Sequence, residues 1–179
     1  MLPVMQNEQP VSLGSSKRTY TATIPDFVPV ATATDICALF GATGKKITLT
    51  MVNITCAASA NTYLGMYMIK RSTVNTGGTP TATAIVNNDS LDPLPSAVVT
   101  QYATNPTLGT GVLMRSDHIT LVGTASTTLP EVPLAWVYNN RSAKAPTLNS
   151  STESYCINCN GAAIPAGINM HITIEWTEE

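Results

Sequence analysis

The chain has 179 residues and a mass of 18.9 kDa, about the size of one domain with a single hydrophobic core. Only 11% of the residues are charged, against about 25% in ordinary soluble domains, while 44% are apolar. No stretch approaches the roughly 20 apolar residues of a membrane span, and the net charge of −2 comes without any long Lys/Arg cluster. We therefore expect one ordered unit that binds neither nucleic acid nor membrane.

Threonine is in excess, with 27 Thr beside 13 Ser. β-branched residues fit a pleated, half-buried surface and lose rotamer freedom in a helix, so this composition favours strands. The surface is rich in hydroxyl groups rather than charges, and such a surface suits a protein that packs among neighbours. A Thr-rich composition is equally typical of all-β domains that have no such role.

Alternation of apolar and polar residues predicts strands along the whole chain. The first predicted strand, residues 19–24, alternates strictly, with Tyr20, Ala22 and Ile24 on one face. Further strands are predicted at residues 34–40, 45–55, 63–71, 97–102, 118–122, 133–138, 154–158 and 168–177.

The segments between these strands carry signals of their own. Gly41 and Gly44 suit a short hairpin between the second and third strands. Residues 63–71 are apolar on both faces up to Lys70, which predicts a strand covered on each side or one that contacts a neighbour. Residues 72–114 contain only two charges and several prolines, so we expect long loops around a single strand.

The final strand, residues 168–177, has the clearest alternation. Ile172 and Trp176 lie on its apolar face and are predicted core residues, whereas His171 lies on its polar face. No window shows a sustained helical stripe. We therefore predict an all-β protein, an antiparallel β-sandwich or jelly roll over residues 19–179, with an extended N-terminal arm over residues 1–18.

No group of residues in the sequence predicts catalysis. Ser116, Asp117 and His118 are triad-type residues, but neighbours on a strand point to opposite faces and cannot form a proton relay. No phosphate-binding loop, zinc-protease motif or nucleophile elbow is present. We expect no catalytic residue, no cofactor and no enzymatic activity.

The cysteines have one suggestive spacing, Cys156-x-x-Cys159. A zinc site needs a second pair of ligands, which Cys37 and Cys56 do not supply, so buried thiols are favoured over a metal site. Residues 87–92 offer oxygen ligands but lack the Gly and distal Glu of a calcium loop, so a solvated turn is favoured there. We expect no metal, and whether the cysteines pair stays open.

Distinctive turns and strand ends lie at residues 19–35 (TYTATIPDFVPVATATD), 69–79 (IKRSTVNTGGT), 102–109 (YATNPTLG) and 161–179. From about residue 19 to its end, the chain resembles a family of tailed-bacteriophage virion proteins. The opening motifs at residues 2–4 and 8–11 are similar to the linker that precedes β domains in phage fibre and decoration proteins. The cysteines depart from the small or polar residues usual at those positions in the family.

The resemblance implies a structural role in the virion. The first expectation is a capsid decoration (cement) or head-fibre protein that forms a homo-oligomer, expected to be a trimer, and binds the major capsid protein or another virion protein. The alternative is a tail-tip or tail-fibre module whose loops, residues 72–94 and 103–111, contact host glycans. An absence of aromatic clusters counts against the alternative, because sugar-binding surfaces usually stack sugars on aromatic rings.

The arm, residues 1–18, is polar, contains two prolines and has too few apolar residues for a core of its own. We expect a partner, either a neighbouring copy or the capsid, to hold it by added-strand pairing. Leu2, Val4, Val11 and Leu13 are the residues predicted to enter apolar grooves of that partner. Docking of the arm on its own sandwich is the alternative.

Overall fold

The computed structural model describes residues 17–123, 132–138 and 144–179. Over these ranges the chain is all-β, as the alternation predicts, and contains no helix. The strands are β1 (Arg18–Phe27), β2 (Asp35–Phe40), β3 (Ile47–Ala58), β4 (Thr62–Arg71), β5 (Pro80–Ala82), β6 (Ile85–Asn87), β7 (Val98–Tyr102), β8 (Gly111–Gly123), β9 (Leu134–Val137), β10 (Thr147–Leu148), β11 (Ser154–Asn158) and β12 (Asn169–Glu178).

Most of the predicted arm lies outside the described residues, which begin at Lys17. The expected contacts of the arm are those of Leu2, Val4, Val11 and Leu13. All four of these residues lie outside the described ranges, so their role stays a prediction.

The strands form a strongly curled, mixed sheet. Neighbouring strands follow the order β5-β7-β2-β11-β4-β8-β3-β12-β1-β6, and β9 and β10 both pair with β3. The prediction of a purely antiparallel sheet is wrong at one place, because β3 and β8 run parallel where Ala57 and Ala58 meet Val122 and Gly123. β8 pairs with β4 up to Leu121 and with β3 at Val122 and Gly123, so this strand connects the two halves of the sheet.

One large cluster of buried side chains forms the core. It takes residues from both halves of the strand order, such as Met66 of β4 and Ile172 and Trp176 of β12. Both predicted core residues are confirmed, since Ile172 and Trp176 are each 0% exposed. The Trp176 ring stacks on Tyr20 of β1 at 5.9 Å between centroids, while His171 lies on the exposed side of β12.

The prediction of a hairpin between β2 and β3 is wrong. β2 pairs with β7 and β11, whereas β3 pairs with β12 and three other strands. Gly44 has a φ of 72°, as a tight turn requires. A turn signal of this kind reports only that the chain reverses, and the contacts of distant strands decide which strand then pairs with which.

The long loop predicted over residues 72–114 contains more strand than expected. Besides β7, it holds the three-residue strands β5 and β6 and the start of β8. The strand predicted at residues 118–122 extends back to Gly111, and every residue from Gly111 to His118 is exposed. Alternation in sequence reports a strand only where one face is buried, so it cannot detect this exposed part of β8.

We predict that Ile172→Ala lowers the free energy of unfolding by about 2–5 kcal/mol, because it removes buried methyl and methylene groups and leaves a cavity. Urea denaturation of both proteins measures the difference. His171→Ala is the matched control, one residue away on the exposed side, and is expected to change stability by less than about 0.5 kcal/mol. Equal losses in the two variants would contradict the register of β12.

Candidate interaction face

The strand β4 has two apolar faces. Leu64 and Met66 point into the main core, so Tyr63, Gly65 and Tyr67 point to the opposite side of the sheet. We call the side of β2, β11, β4 and β8 that points away from the main core the outer face. One part of the outer face is covered by loops and the other part is exposed.

A buried ion pair lies under the covered part. The Arg71 guanidinium donates to both carboxylate oxygens of Asp35, from Nε at 2.6 Å and from Nη2 at 2.8 Å. Asn75 and Asn158 each donate one further side-chain N–H to the same carboxylate. Asp35 is 1% exposed and Arg71 is 5% exposed, so the pair is almost wholly removed from water.

The same residues hold two loops in place. Arg71 Nη1 donates to the carbonyl oxygen of Gly109 at 2.6 Å, and the amide of Gly109 donates to Asn75 Oδ1 at 2.8 Å. Both backbone groups of Gly109 are therefore bound to side chains of the cluster. Residues 72–79 and 103–110 are tied together through these bonds and through the paired backbones of Thr76 and Thr107. Asn75 reaches Cys156 on the outer face, where Ala38 and Cys156 are fully buried.

The cluster keeps Asp35 ionised. Burial by itself would raise the pKa of this carboxyl, but the hydrogen bonds from Arg71, Asn158 and Asn75 and the positive charge of Arg71 outweigh it, so the pKa lies below its ordinary value. The Asp35 carboxylate in turn raises the pKa of Arg71 against the effect of burial. Each charge is therefore stabilised by the other.

The cysteines of this region are buried thiols. No disulfide links Cys37, Cys156 and Cys159, and Cys56 is buried as well. Burial raises the pKa of all three of those thiols, and that of Cys159 to about 12, so none supplies a thiolate at neutral pH. Within the described ranges, no three His, Cys, Asp or Glu side chains are grouped so that they could hold a metal.

The exposed part of the outer face carries an aromatic pair and a further tyrosine. Tyr63 is 69% exposed, and its ring meets the His118 ring edge to face at 5.5 Å. The Tyr67 ring lies across Gly65, where an added Cβ would come within 3.0 Å of the tyrosine hydroxyl oxygen. The alternation of side chains along β4 places Tyr63, Gly65 and Tyr67 on one strand face, and this spacing is the sequence signal for the arrangement.

The strand β8 borders the exposed part and has an open edge. It pairs with β4 from Gly111 to Leu121, but in the described parts of the chain its other side pairs only at Val122 and Gly123. Val112 is 71% exposed and Leu113, beside it, is 53% exposed. Among the described residues, exposed apolar side chains and backbone groups without a strand partner therefore lie along the same strand.

Ser116, Asp117 and His118 lie on β8 and do not form a relay. The Asp117 carboxylate accepts a hydrogen bond from the backbone amide of His118 at 3.0 Å, while the imidazole packs against Tyr63. This arrangement follows from the alternation of side chains along a strand.

The segment at residues 87–92 is a turn held by its own side chains. Asn87 donates to the carbonyl oxygen of Asp92 at 2.7 Å, and Asp89 accepts from the amide of Leu91 at 2.9 Å. The carbonyl oxygen of Asp92 and one oxygen of Asp89 are therefore already used within the turn. This arrangement agrees with the predicted solvated turn.

No protein-family model matches the chain, and no curated protein or solved structure is significantly similar to it. In the part of the chain that the structure describes, no helix has the length and apolar character needed to cross a membrane. The features of the described chain that bear on its function are therefore the outer face and the edge of β8.

We predict that Asp35→Ala lowers the free energy of unfolding by about 3–5 kcal/mol, because it leaves the Arg71 guanidinium buried without a counter-ion. Chemical denaturation measures the loss. Asp89→Ala removes an exposed carboxylate that holds only a local turn, and it serves as the control with a loss of less than about 1 kcal/mol. Equal losses in the two variants would contradict a structural role for the ion pair.

The low pKa of Asp35 also predicts a pH dependence. A carboxyl whose folded pKa is depressed contributes stability above its unfolded pKa, about 3.9, and that contribution is lost as the pH falls through the folded pKa. The difference in unfolding free energy between the wild type and Asp35→Asn should therefore shrink as the pH falls below about 4. Urea titrations at a series of pH values measure it, and a constant difference down to acid unfolding would refute the assignment.

Proposed function

We propose that this chain is a non-enzymatic structural protein of a bacteriophage virion, a capsid decoration or head-fibre protein that packs against copies of itself and against another virion protein. In this proposal the two halves of the curled sheet form the layers of a β-sandwich of the jelly-roll type. The observation that carries the proposal is the exposed part of the outer face, where apolar and aromatic side chains lie on a rigid sheet.

The exposed part has the composition of a contact surface. Tyr63 and Leu113 are more than half exposed, although the strands that carry them also supply buried residues to the core. Interfaces are enriched in aromatic residues and depleted of charge at their centres, and large exposed apolar patches mark such sites. A strand that is apolar on both faces, with only one face covered by its own chain, is what packing against a neighbour requires.

The sandwich arrangement is supported by the distribution of buried residues. Strands from both halves of the strand order, such as β2 and β12, contribute to one common core cluster. Two packed layers of sheet are the usual way for a strand-only domain to bury one face of every strand. The single parallel contact between β3 and β8 closes one side of this arrangement.

The covered part supports a role as a rigid building block. The Asp35 carboxylate has its hydrogen-bonding capacity satisfied by Arg71, Asn75 and Asn158, and it holds the covering loops in one conformation. A fully satisfied buried polar network of this kind rigidifies the structure around it. Rigid loops suit a particle component whose contacts with neighbours repeat many times.

A second function, host recognition at a tail tip, is favoured by one observation. The exposed Tyr63 ring meets the His118 ring, with the half-buried Tyr67 on the same strand face, and aromatic faces are the usual stacking surfaces for sugars. The loops at residues 72–79 and 103–110 are also held in place before any ligand binds, which lowers the entropic cost of recognition.

We predict that antibodies raised against the purified chain label phage particles, and that electron microscopy places the gold on the head. Label on the tail tip would favour host recognition instead. Particles that carry no label, although the chain is detected in the same infected cells, would refute a virion role altogether. Pre-immune serum on the same particles is the control.

We also predict that deletion of residues 2–16 leaves the folded body intact but abolishes incorporation into particles. The deletion keeps Lys17, which forms an ion pair with Glu179. Far-ultraviolet circular dichroism should be nearly unchanged, because all the described strands remain. Incorporation at wild-type occupancy would show that attachment depends on the outer face and the loops rather than on the arm.

A further inference from the structure

The open edge of β8 is the strongest candidate for a contact with a second copy. From Gly111 to His118 every residue is exposed, and β4 is the only strand of the described chain that pairs with this segment. An edge strand of this length presents a row of backbone donors and acceptors that a further strand can use. Val112, Leu113 and Met114 add exposed apolar surface to the same segment.

Two features limit which strands can pair with this edge. Met68 and Ile69 of β4 pair with Arg115 and Leu113, so Met114 is an extra residue that forms a β-bulge. Beyond the bulge, Arg115 and Asp117 place opposite charges two residues apart. Bulges and charged side chains are the devices by which natural sheets restrict edge pairing.

The charges also select one partner and one register. Arg115 and Asp117 point to the same side of β8, because they are two residues apart on a strand. In an antiparallel pair of two β8 strands centred on Ser116, Arg115 of each copy lies opposite Asp117 of the other. Directly opposite residues have Cβ atoms about 4.5–5.5 Å apart, so both cross-strand pairs are attractive.

The neighbouring registers are disfavoured by the same two residues. A shift of two residues in one direction places Arg115 opposite Arg115, and a shift in the other direction places Asp117 opposite Asp117. Like charges directly opposite each other destabilise a strand pair. A shift of one residue turns the facing side chains to the other side of the sheet. Among these registers the edge is therefore complementary to itself in one, the register centred on Ser116.

Resting on the self-assembly in the proposed function, we propose that β8 pairs with β8 of a second copy about a two-fold axis at Ser116. The regular part of the pairing covers residues 114–118, and the exposed Val112 and Leu113 flank it on each side. The sheet then continues from one copy into the other, with the two exposed parts of the outer face next to each other. Such an isologous contact is closed after two copies.

Arg115 is available for this role in the single chain. Its guanidinium lies 5.2 Å from the centre of the Tyr138 ring, which holds one face of the group. The five N–H donors of the guanidinium lie in its plane, so a carboxylate at the edge of the group remains within their reach. The contact with Tyr138 thus orients Arg115 and leaves N–H donors of its guanidinium for a carboxylate.

The test exchanges the two charges. Sedimentation of the purified wild type should show a reversible dimer. Arg115→Asp and Asp117→Arg each create two like-charge pairs and should weaken association by about tenfold or more. The double variant restores both attractive pairs and should dimerise like the wild type. Arg18→Asp, on β1, changes the net charge by the same amount as Arg115→Asp and is the control expected to leave association unchanged.

Mixing the two single variants gives the sharpest result. A copy with Asp at positions 115 and 117 is complementary to a copy with Arg at both positions, so the mixture should form heterodimers although neither variant dimerises alone. Fluorescence transfer between differently labelled variants detects them. The Tyr138 contact is absent from both the single Arg115→Asp variant and the double variant, so restoration in the double variant cannot come from that contact.

Several results would overturn the pairing. A wild type that is only monomeric, or only the trimer expected from the sequence, would do so. Single variants that dimerise like the wild type would also do so. If deletion of residues 2–16 abolishes association while the charge exchange has no effect, the arm rather than a second β8 occupies the edge. These measurements need no particle, so a negative labelling experiment would remove the virion role and leave the dimer standing.

Discussion

The buried pair of Asp35 and Arg71 divides the outer face into a covered and an exposed part. Two charges can remain in the protein interior only if each is the partner of the other and their remaining hydrogen bonds are satisfied. Asn75, Asn158 and the backbone of Gly109 meet that demand. The loops must therefore lie where they do, and the part of the face that they do not reach is left for solvent or a neighbour.

This division explains why the two faces of β4 differ in chemistry. Met66 and Met68 meet the main core and are 0% exposed, which is the ordinary environment of an apolar strand face. Tyr63 and Tyr67 lie on the other face, beyond the covering loops, and rely on His118 and on the small surface of Gly65 for packing. Amphipathic aromatic rings tolerate such partial exposure and gain most when a partner covers them.

The strand β8 connects this face to the rest of the sheet. At Val122 and Gly123 it is bound to β3 beside the core, and Ile119 and Leu121 are buried. From Gly111 to His118 it no longer pairs with β3, and its residues are exposed. One strand thus supplies buried residues to the core at one end and is exposed at the other, where it carries Arg115 and Asp117.

Local alternation was sufficient to predict the strands around Ile24 and Ile172 and the burial of Trp176, because a strand with one buried face must alternate with a period of two. In such a strand, whether a residue is buried depends on the hydrophobicity of its own side chain, which the sequence gives directly. Tertiary structure alone decided the buried ion pair and the pairing of the strands. Asp35 meets Arg71 across 36 positions of sequence, and β2 pairs with β11 instead of β3, because strand pairing is set by contacts between segments that lie far apart in the chain.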